Sequence, residues 1–445
     1  MSTYLRRTCT GGNQRIATFS AWVKKAQINT ENCMFLQRAD ASNFFRIRFN
    51  SDQINFNSRV SGTDYYGTTA AVYRDPAAWY HIVLAVDTTQ STAADRFKLY
   101  VNSTQQTLTA SSYPGQNADL QMNVNSMQND VGGENGSNYF KGIMAHVHWA
   151  DGTAYTPSTF GETDSTSGIW KPKSNPTVTY GTNGFFLKFA NSGSLGLDSS
   201  GNTNNFTVTG SGIQTQDAPS NNFATWNPLS KASDYNGQNL PINGNTTFVS
   251  GETSTNYPAY WSTLGVSAGK WYFECKMGSS GGPGAMIGVS DQKKLTSYFG
   301  SGSYDYGYFG YDGNKYVSGS ASSYGNSYGN NDIVGCAVDL DNNKLYFSKN
   351  GTFQNSGVPT SGSTGTGAIS IADASSTTTG FYFFTAGDSG NSDAPTVNAN
   401  FGNGYFGTTA VASSNSDGNG YGLFEYSVPT GYYALCTKNI KLYGG

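Results

Sequence analysis

Several stretches of the chain alternate apolar and polar residues with a period of two, and this pattern most constrains the fold. The segment Phe44–Phe49 reads FFRIRF, and Trp79–Asp87 and Arg96–Asn102 continue the same alternation. Because successive strand residues point to opposite faces of a sheet, each segment has one dry face and one wet face. The pattern therefore predicts antiparallel β-sheets with one face buried.

The composition supports strands rather than helices. Glycine (55), tyrosine (30) and phenylalanine (26) are abundant, whereas charged residues make up 12%, against about 25% in an average soluble protein. Glycine-rich turns between aromatic and β-branched runs are typical of all-β proteins. We expect an all-β chain with two antiparallel β-sandwiches.

The strand-like segments form two groups, which predict the domain boundaries. We place a first sandwich at residues 1–172, a connector rich in Asn, Ser and Gly at residues 173–245, and a second sandwich at residues 246–445. The connector contains one strand candidate, Gly184–Phe189. This strand and Trp226 favour a connector packed on the sandwiches, because such apolar residues seldom stay in a solvated linker.

Charge and hydropathy exclude several functional classes. The formal net charge is −3, and basic residues do not cluster beyond two pairs near the start. This gives little electrostatic basis for holding nucleic acid. No apolar run reaches the roughly 18 residues of a membrane span, and the start MSTYLRRTCTGGNQ lacks the apolar stretch of a signal peptide.

The five cysteines have no C-x-x-C spacing and are expected to be free thiols.

The run Asp339-Leu-Asp-Asn-Asn343 raises the question of a cation site. A twelve-residue calcium loop that starts at Asp339 needs glycine at its sixth position and an acid at its twelfth. The chain has Lys344 and Asn350 there. We therefore expect a hairpin turn, in which Asp and Asn bond to local backbone.

Two glycine motifs also fail as catalytic or cofactor sites. The segment Gly325–Gly329 matches G-x-S-x-G, but no histidine follows His148 to act as its base. The segment Gly402–Gly407 matches G-x-G-x-x-G without a βαβ unit to present a phosphate to a helix. The sequence predicts no catalytic residue and no cofactor.

The sequence contains a histidine pair and a carboxylate pair whose residue types suit metal binding or glycan hydrolysis. His146 and His148 lie two apart on one strand and could bind a metal, but no third ligand can be assigned. A solvent-facing strand pair is the preferred interpretation, and no metal site is predicted. Glycosidases of this architecture need two carboxylates along a strand. The pair Glu162 and Asp164 lies in a turn and lacks the second glutamate, so a polysaccharide depolymerase is the least favoured alternative.

The strongest indication of a ligand-binding site is a cluster of aromatic residues. Ten tyrosine or phenylalanine residues lie between Tyr298 and Tyr328, among Ser, Gly and Asn. Tyr324 and Tyr328 show no apolar periodicity and are expected on an exposed loop, and Tyr304 and Tyr316 complete the candidate ligand-binding set. Flat aromatic faces beside neutral amides and hydroxyls suit sugars or polar protein surfaces. Ordinary solvated tyrosines are an equally open interpretation.

Several phrases resemble known families. Residues 18–170 resemble a laminin-G or concanavalin A-like jelly roll through FSAWVKK, AWYHIVLAVDTTQ, FKLYVNS and AYTPSTFGE. Residues 246–440 resemble a SPRY domain through GVSAGKWYFECKM, MIGVSD and NDIVGCAVDLDNNKLYFSKNGTF. The phrases MSTYLRRT, YGTNGFFLKFA, DSSGNTNNFTVTG and DAPSNNFATWNPL resemble virion structural proteins of marine phages.

This resemblance implies a role on a virus particle rather than an enzyme. It implies a tail-fibre or adhesin-like virion protein that binds other virion proteins and a host-surface glycan or protein, with a homo-oligomer expected. SPRY domains bind partners through loops at one end of the sandwich, which here include residues 318–331. Long tail fibres usually carry a coiled-coil or repetitive shaft, and no heptad stretch or short repeat occurs here. A capsid decoration or head-fibre protein with a structural role is therefore the alternative.

Overall fold

The computed structural model describes residues 2–165, 168–230, 240–250, 257–291, 298–388 and 393–444. The chain divides into two compact units, Met1–Gln214 and Thr215–Gly445. Strands dominate both units, which confirms the all-β prediction. Within the described ranges, no helix combines the length and the apolar character that crossing a membrane requires.

The first unit is built from short strands joined by turns. Its described strands are β1 (Tyr4–Thr8), β2 (Ile16–Lys25), β3 (Asn32–Asp40), β4 (Asn43–Asn50), β5 (Gln53–Val60), β6 (Thr63–Thr69), β7 (Trp79–Asp87), β8 (Phe97–Val101), β9 (Thr104–Gln105), β10 (Leu108–Ser112), β11 (Gln128–Val131), β12 (Gly142–Asp151), β13 (Gly161–Thr163), β14 (Trp170–Pro172), β15 (Phe185–Leu187) and β16 (Thr207–Thr209). Single turns of 3-10 helix lie at Ala93–Asp95 and Pro157–Thr159.

Most of these strands form a sandwich of two antiparallel sheets, and β13 pairs with β14 in a separate two-stranded sheet. One sheet has the order β10-β6-β5-β4-β3-β11-β1-β16, and the other has the order β15-β12-β2-β7-β8-β9. The alternation seen in the sequence sets the core: Phe45 on β4 and Leu84 on β7 are fully buried. The rings of Phe35 and Trp149, from opposite sheets, stack with centroids 4.8 Å apart.

The second unit repeats this architecture. Its described strands are β17 (Thr247–Val249), β18 (Ala259–Val266), β19 (Lys270–Met277), β20 (Ala285–Ser290), β21 (Tyr306–Phe309), β22 (Asn314–Val317), β23 (Ser320–Ser323), β24 (Ile333–Asp339), β25 (Lys344–Lys349), β26 (Thr352–Phe353), β27 (Ile369–Ser370), β28 (Tyr382–Asp388), β29 (Thr396–Asn400), β30 (Tyr405–Phe406), β31 (Thr409–Ala410) and β32 (Tyr433–Ala434). Turns of 3-10 helix lie at Gln354–Ser356, Pro359–Thr364 and Ala374–Ser376, and helix α1 spans Thr437–Tyr443.

Two sheets enclose the core of this unit. The larger sheet runs β17-β29-β19-β24-β25-β26, with β27 and β32 paired to β25 and β19, and the six-stranded sheet runs β18-β28-β20-β21-β22-β23. Rings from both sheets meet between them: Phe273 on β19 lies 4.2 Å from Phe384 on β28, measured between centroids. The aromatic residues of the sequence are therefore used mainly as core.

The outer face of the larger sheet is covered by the chain around residues 415–436. Phe424 and Tyr432 from this segment pack on Tyr272, and all three are buried. Beneath the segment, the Glu274 carboxylate accepts the backbone N–H groups of Glu425 and Tyr426, each at 2.9 Å. This buried carboxylate thus helps to fix the covering segment to the sheet.

The predicted connector, residues 173–245, is distributed between the two units. Strand β15 pairs with β12, and β16 pairs with β1. Between them the buried Asp198 carboxylate accepts the backbone N–H groups of Phe186, Ser200 and Asn204 at 2.8–2.9 Å. Trp226 is buried in the second unit, with its ring 5.0 Å from that of Phe401. Residues 231–239 of the predicted connector lie outside the described residues.

Candidate functional site

Two of the predicted binding residues, Tyr324 and Tyr328, lie in the core, with exposed fractions of 5% and 2%. The Tyr324 hydroxyl accepts the backbone N–H of Phe347 at 3.2 Å. The Tyr328 hydroxyl donates toward the carbonyl oxygens of Tyr308 and Ala285, at 2.7 and 2.9 Å. The predicted exposure is therefore wrong. The small Ser, Gly and Asn residues around both tyrosines allow this loop to turn its two rings into the sandwich.

The other two predicted residues, Tyr304 and Tyr316, are half-buried and differ in position. Tyr304 lies in the turn before β21 and packs against the main core. Tyr316 lies on β22, and its ring meets Phe309 on the outer face of the six-stranded sheet. Of the four predicted tyrosines, Tyr316 alone therefore belongs to an outer surface.

Tyr316 is part of a continuous row of five rings on this outer face. The aromatic row, as we call it, consists of Tyr257, Tyr298, Tyr316, Phe309 and Tyr311, in that order. Successive ring centroids are 5.7, 6.1, 5.7 and 6.3 Å apart. Phe309 is buried, three of the tyrosines are half-buried, and Tyr311 is 60% exposed. Contacts in this distance range hold rings in fixed relative positions.

The tyrosine hydroxyls of the aromatic row have no hydrogen-bond partner among the described residues. Buried tyrosines of the same unit differ: the hydroxyls of Tyr382 and Tyr432 each donate to a backbone carbonyl at 3.0 Å. A buried hydroxyl needs such a partner, whereas an exposed one can use water or a ligand. Within the part of the chain that the structure describes, the row therefore combines aromatic rings with hydroxyls that have no protein partner.

Small, uncharged residues border the aromatic row. The edge strand Ser320–Ser323 is exposed along its length, and Ala321 pairs with Tyr316. The Asp312 carboxylate lies close enough to act on Tyr316, and it accepts the backbone and side-chain N–H groups of Asn314 at 2.9 and 2.7 Å. Burial raises the pKa of Tyr316, and this carboxylate adds to the effect. The Tyr316 hydroxyl thus stays protonated and able to donate.

The aromatic row carries no basic side chain from the strands of its sheet. Lys315 is the one basic residue in the described strands of that sheet. It alternates with Tyr316 on β22 and therefore points to the opposite face. In the described part of the chain, the strands of this sheet therefore bring no cation to the row.

Sequence reasoning missed Tyr257, Tyr298 and Tyr311. A usable signal was present at Tyr311, because the segment Tyr311-Asp-Gly-Asn-Lys-Tyr316 carries the Asp-Gly turn that joins two strands of a hairpin. That turn places Tyr311 and Tyr316 near one end of adjacent strands. No local pattern predicts that Tyr298 or Tyr257 joins them, because both contacts are made between distant parts of the chain.

A serine–histidine pair in the first unit resembles a catalytic pair but has the wrong proton arrangement. Ser20 Oγ lies 2.9 Å from His81 Nε2, and the Trp170 indole N–H donates to His81 Nδ1 at 3.0 Å. Because the indole is only a donor, Nδ1 carries no hydrogen and Nε2 donates to the serine. Burial lowers the pKa of His81 to about 3. His81 therefore cannot accept a proton from Ser20, as a nucleophile would require.

The expected solvent-facing pair of His146 and His148 is wrong for His148, which is buried. Its ring stacks on Phe186 at 3.9 Å, and its Nδ1 lies 2.9 Å from the Tyr180 hydroxyl. A bulge in β12 between Ala145 and His148 gives His146 a φ of 48° and breaks the regular strand. Among the described residues, no group of three His, Cys, Asp or Glu side chains is placed to hold a metal.

The run at Asp339 is a hairpin turn between β24 and β25, as predicted. The Asp339 carboxylate accepts the backbone N–H of Asn342 at 3.0 Å and its side-chain N–H at 2.9 Å. Asn343 adopts a left-handed φ of 57°. Lys270 Nζ lies 2.9 Å from the same carboxylate. Local backbone and one lysine thus occupy the oxygens that a cation would need.

Two protein-family models match the chain. The model described as the concanavalin A-like lectin/glucanases superfamily matches residues 7–159, and the SPRY domain model matches residues 270–372. The chain carries a concanavalin A-like domain and a SPRY domain. The aromatic row therefore lies on the outer face of one sheet of the SPRY sandwich, and four of its five rings fall inside the matched residues.

Curated relatives match the SPRY part. Ran-binding protein 9 of Xenopus tropicalis is 38% identical over 106 residues, which are 23% of this chain and 19% of that protein. A probable ATP-dependent RNA helicase, ddx1, of Dictyostelium discoideum is 30% identical over 114 residues, 26% of this chain and 14% of that protein. The chain thus spans about a fifth or less of the length of these relatives.

Solved structures also resemble parts of the chain. The SPRY domain of human HERC1 is 16% identical, with a TM-score of 0.28 and coverage of 39% of this chain and 96% of that chain. A putative carbohydrate binding protein from Bacteroides ovatus is 16% identical, with a TM-score of 0.33 and coverage of 47% and 56%.

Proposed function

We propose that the protein is a bacteriophage virion component of the tail-fibre or adhesin type, which binds a host-surface glycan or protein. The observation that carries the binding role is the aromatic row on an outer sheet face, whose four tyrosine hydroxyls have no partner among the described residues. The phage origin is supported by the resemblance of MSTYLRRT, YGTNGFFLKFA, DSSGNTNNFTVTG and DAPSNNFATWNPL to marine-phage virion proteins.

In this proposal the concanavalin A-like and SPRY domains are displayed on the particle, and their partners are other virion proteins and the host surface. The protein is made in the host cytoplasm and assembles as a homo-oligomer. No enzymatic step is part of the role. The arrangement around His81, in which the histidine donates to Ser20, supports binding without catalysis.

Immunogold labelling of particles of the encoding virus tests the location. Label at the tail or its fibres is expected. A particle without this chain would overturn the virion role. Label spread over the head would instead favour the alternative, a capsid decoration protein, which the two compact sandwich units suit equally well.

Adsorption of the purified protein to host cells tests the binding role. Saturable binding is expected, and Tyr311→Ala should weaken it. Incubation with host polysaccharide should release no new reducing ends. Release of reducing ends would replace the adhesin proposal by a depolymerase.

A further inference from the structure

We propose that the aromatic row of the SPRY domain is a binding site for an uncharged oligosaccharide. This proposal rests on the proposed function, because it names the ligand class of the same surface. The row consists of Tyr257, Tyr298, Tyr316, Phe309 and Tyr311, with successive centroids 5.7–6.3 Å apart.

The accessible rings of the row combine an apolar surface with a hydroxyl group. A sugar ring has an apolar face of C–H groups and an edge of hydroxyls, so its partner must supply a flat apolar surface beside hydrogen-bonding groups. Every exposed or half-buried member of the row is a tyrosine, and none of their hydroxyls has a partner among the described residues. Phe309, the one ring without a hydroxyl, is 4% exposed and supports the others from below. Successive rings from Tyr257 to Phe309 are inclined by 61–90°, so the row is not one flat platform, and each accessible tyrosine can match one sugar through its own ring and hydroxyl.

Two charged side chains near the row, Lys315 and Asp312, are directed away from it or already hydrogen-bonded. Lys315 points to the opposite face of β22, and the Asp312 carboxylate is held by both N–H groups of Asn314. A protein partner is usually held by buried aromatic and arginine anchors in closed pockets. The row instead lies on an outer sheet face beside the small residues Ser320–Ser323, of which all four are exposed, and the described strands of its sheet bring no cation to it. This surface suits a neutral, hydroxyl-rich ligand better than a charged one.

The aromatic row is longer than a single sugar. Because successive rings lie about 6 Å apart, one sugar cannot contact the whole row. A longer chain can contact more than one of the accessible tyrosines, although not the buried Phe309, and contacts in one molecule reinforce one another. Affinity should therefore rise with the length of the oligosaccharide and should depend little on salt concentration, because the ligand is uncharged.

A glycan array with uncharged hexose oligosaccharides and their carboxylated or sulfated counterparts tests this assignment on the full chain. Binding to uncharged members is expected, stronger for longer ones. Tyr311→Ala should weaken it by about tenfold, the effect of losing one ring contact. The matched control is Tyr426→Ala, which removes a half-buried tyrosine from the segment that covers the other sheet. This control should bind as the natural protein does.

Three results would overturn the glycan assignment: no array member bound, binding to charged members alone, or equal binding by Tyr311→Ala. Circular dichroism of each variant shows that a loss of binding is not a loss of fold. The outcome is separable from the proposed function. Host-cell adsorption that protease treatment of the cells abolishes would keep the adhesin role and remove the glycan. Array binding by a chain absent from particles would keep the glycan site and remove the virion role.

Discussion

Lys25 Nζ lies 2.6 Å from Asp52 Oδ1, and both side chains are buried in the concanavalin A-like domain. The Asp52 carboxylate also accepts the backbone N–H of Asn29 at 2.8 Å and Arg74 Nε–H at 3.0 Å. Lys25 Nζ lies 4.5 Å from the ring centre of Phe49. Burial alone would raise the pKa of Asp52, but these hydrogen bonds outweigh it and hold that pKa below its usual value.

The buried pair predicts a large cost for removing one partner. Asp52→Ala should destabilise the domain by about 3–5 kcal/mol, because it leaves the Lys25 ammonium buried without a counter-charge. Asp119→Ala is the control, since its pair with Arg15 is exposed and exposed pairs contribute little to stability. Hydrogen exchange of β5 peptides in the full chain measures both changes. Equal protection in the two variants would contradict the prediction.

Glu274 predicts a pH dependence in the SPRY domain. Burial raises its pKa to about 7, although the N–H groups of Glu425 and Tyr426 and the Tyr272 hydroxyl favour the ionised form. Between its ordinary pKa of 4.5 and about 7, the folded state holds a proton that the unfolded state has released. Stability should therefore fall as pH rises through this window, by about 3 kcal/mol in total.

Thermal unfolding of the full chain at pH 5 and pH 8 measures this effect. Glu274→Gln should remove most of the difference in the transition assigned to the SPRY domain. Glu162→Gln, at a half-exposed position of the other domain, should leave it unchanged. If the SPRY-domain transition of the natural protein occurs at the same temperature at pH 5 and pH 8, the predicted effect is ruled out.

The tyrosines of the SPRY domain should divide into two classes on mutation. Tyr328→Ala removes a buried ring and should cost about 3–5 kcal/mol. Tyr311→Ala alters an exposed ring and should stay within about 0.5 kcal/mol. Denaturant unfolding of both variants checks this contrast. Similar losses would show that the two rings do not differ in burial as the structure has them.

The thiols should be unreactive in the folded protein. All five cysteines are buried, and burial raises the pKa of Cys9 to about 11 and that of Cys436 above its ordinary value. Because the thiolate is the reactive form, iodoacetamide at pH 8 should add no label to the native chain and five labels after denaturation. Intact-mass spectrometry counts the labels, and rapid labelling of the native chain would contradict the assigned burial.

Sequence reasoning succeeded where the signal is local. Alternation in Phe44–Phe49 and Trp79–Asp87 predicted strands because a half-buried strand must alternate, and the Asx run at Asp339 predicted a hairpin because its turn is held by its own side chains. The same reasoning failed for Tyr324 and Tyr328. Their burial depends on distant strands that supply partners for their hydroxyls, such as the N–H of Phe347, and nothing near them in the sequence records those partners.

The aromatic row was predictable from the sequence only in part. Tyr316 was predicted, and Tyr311 could have been, because a hairpin turn connects their strands. Tyr257 and Tyr298 join the row through ring contacts between segments far apart in the chain. Burial of a tyrosine in this protein is thus decided by tertiary partners, which composition alone does not reveal.

The bonding of Asp198 determines how the loop around it, in the first unit, responds to salt concentration. Its carboxylate is buried and bonded to three backbone N–H groups within 2.9 Å, rather than to an exposed cation. Dissolved ions screen charges across water but do not enter such short contacts. The shape of this loop is therefore the same in brine as in dilute buffer.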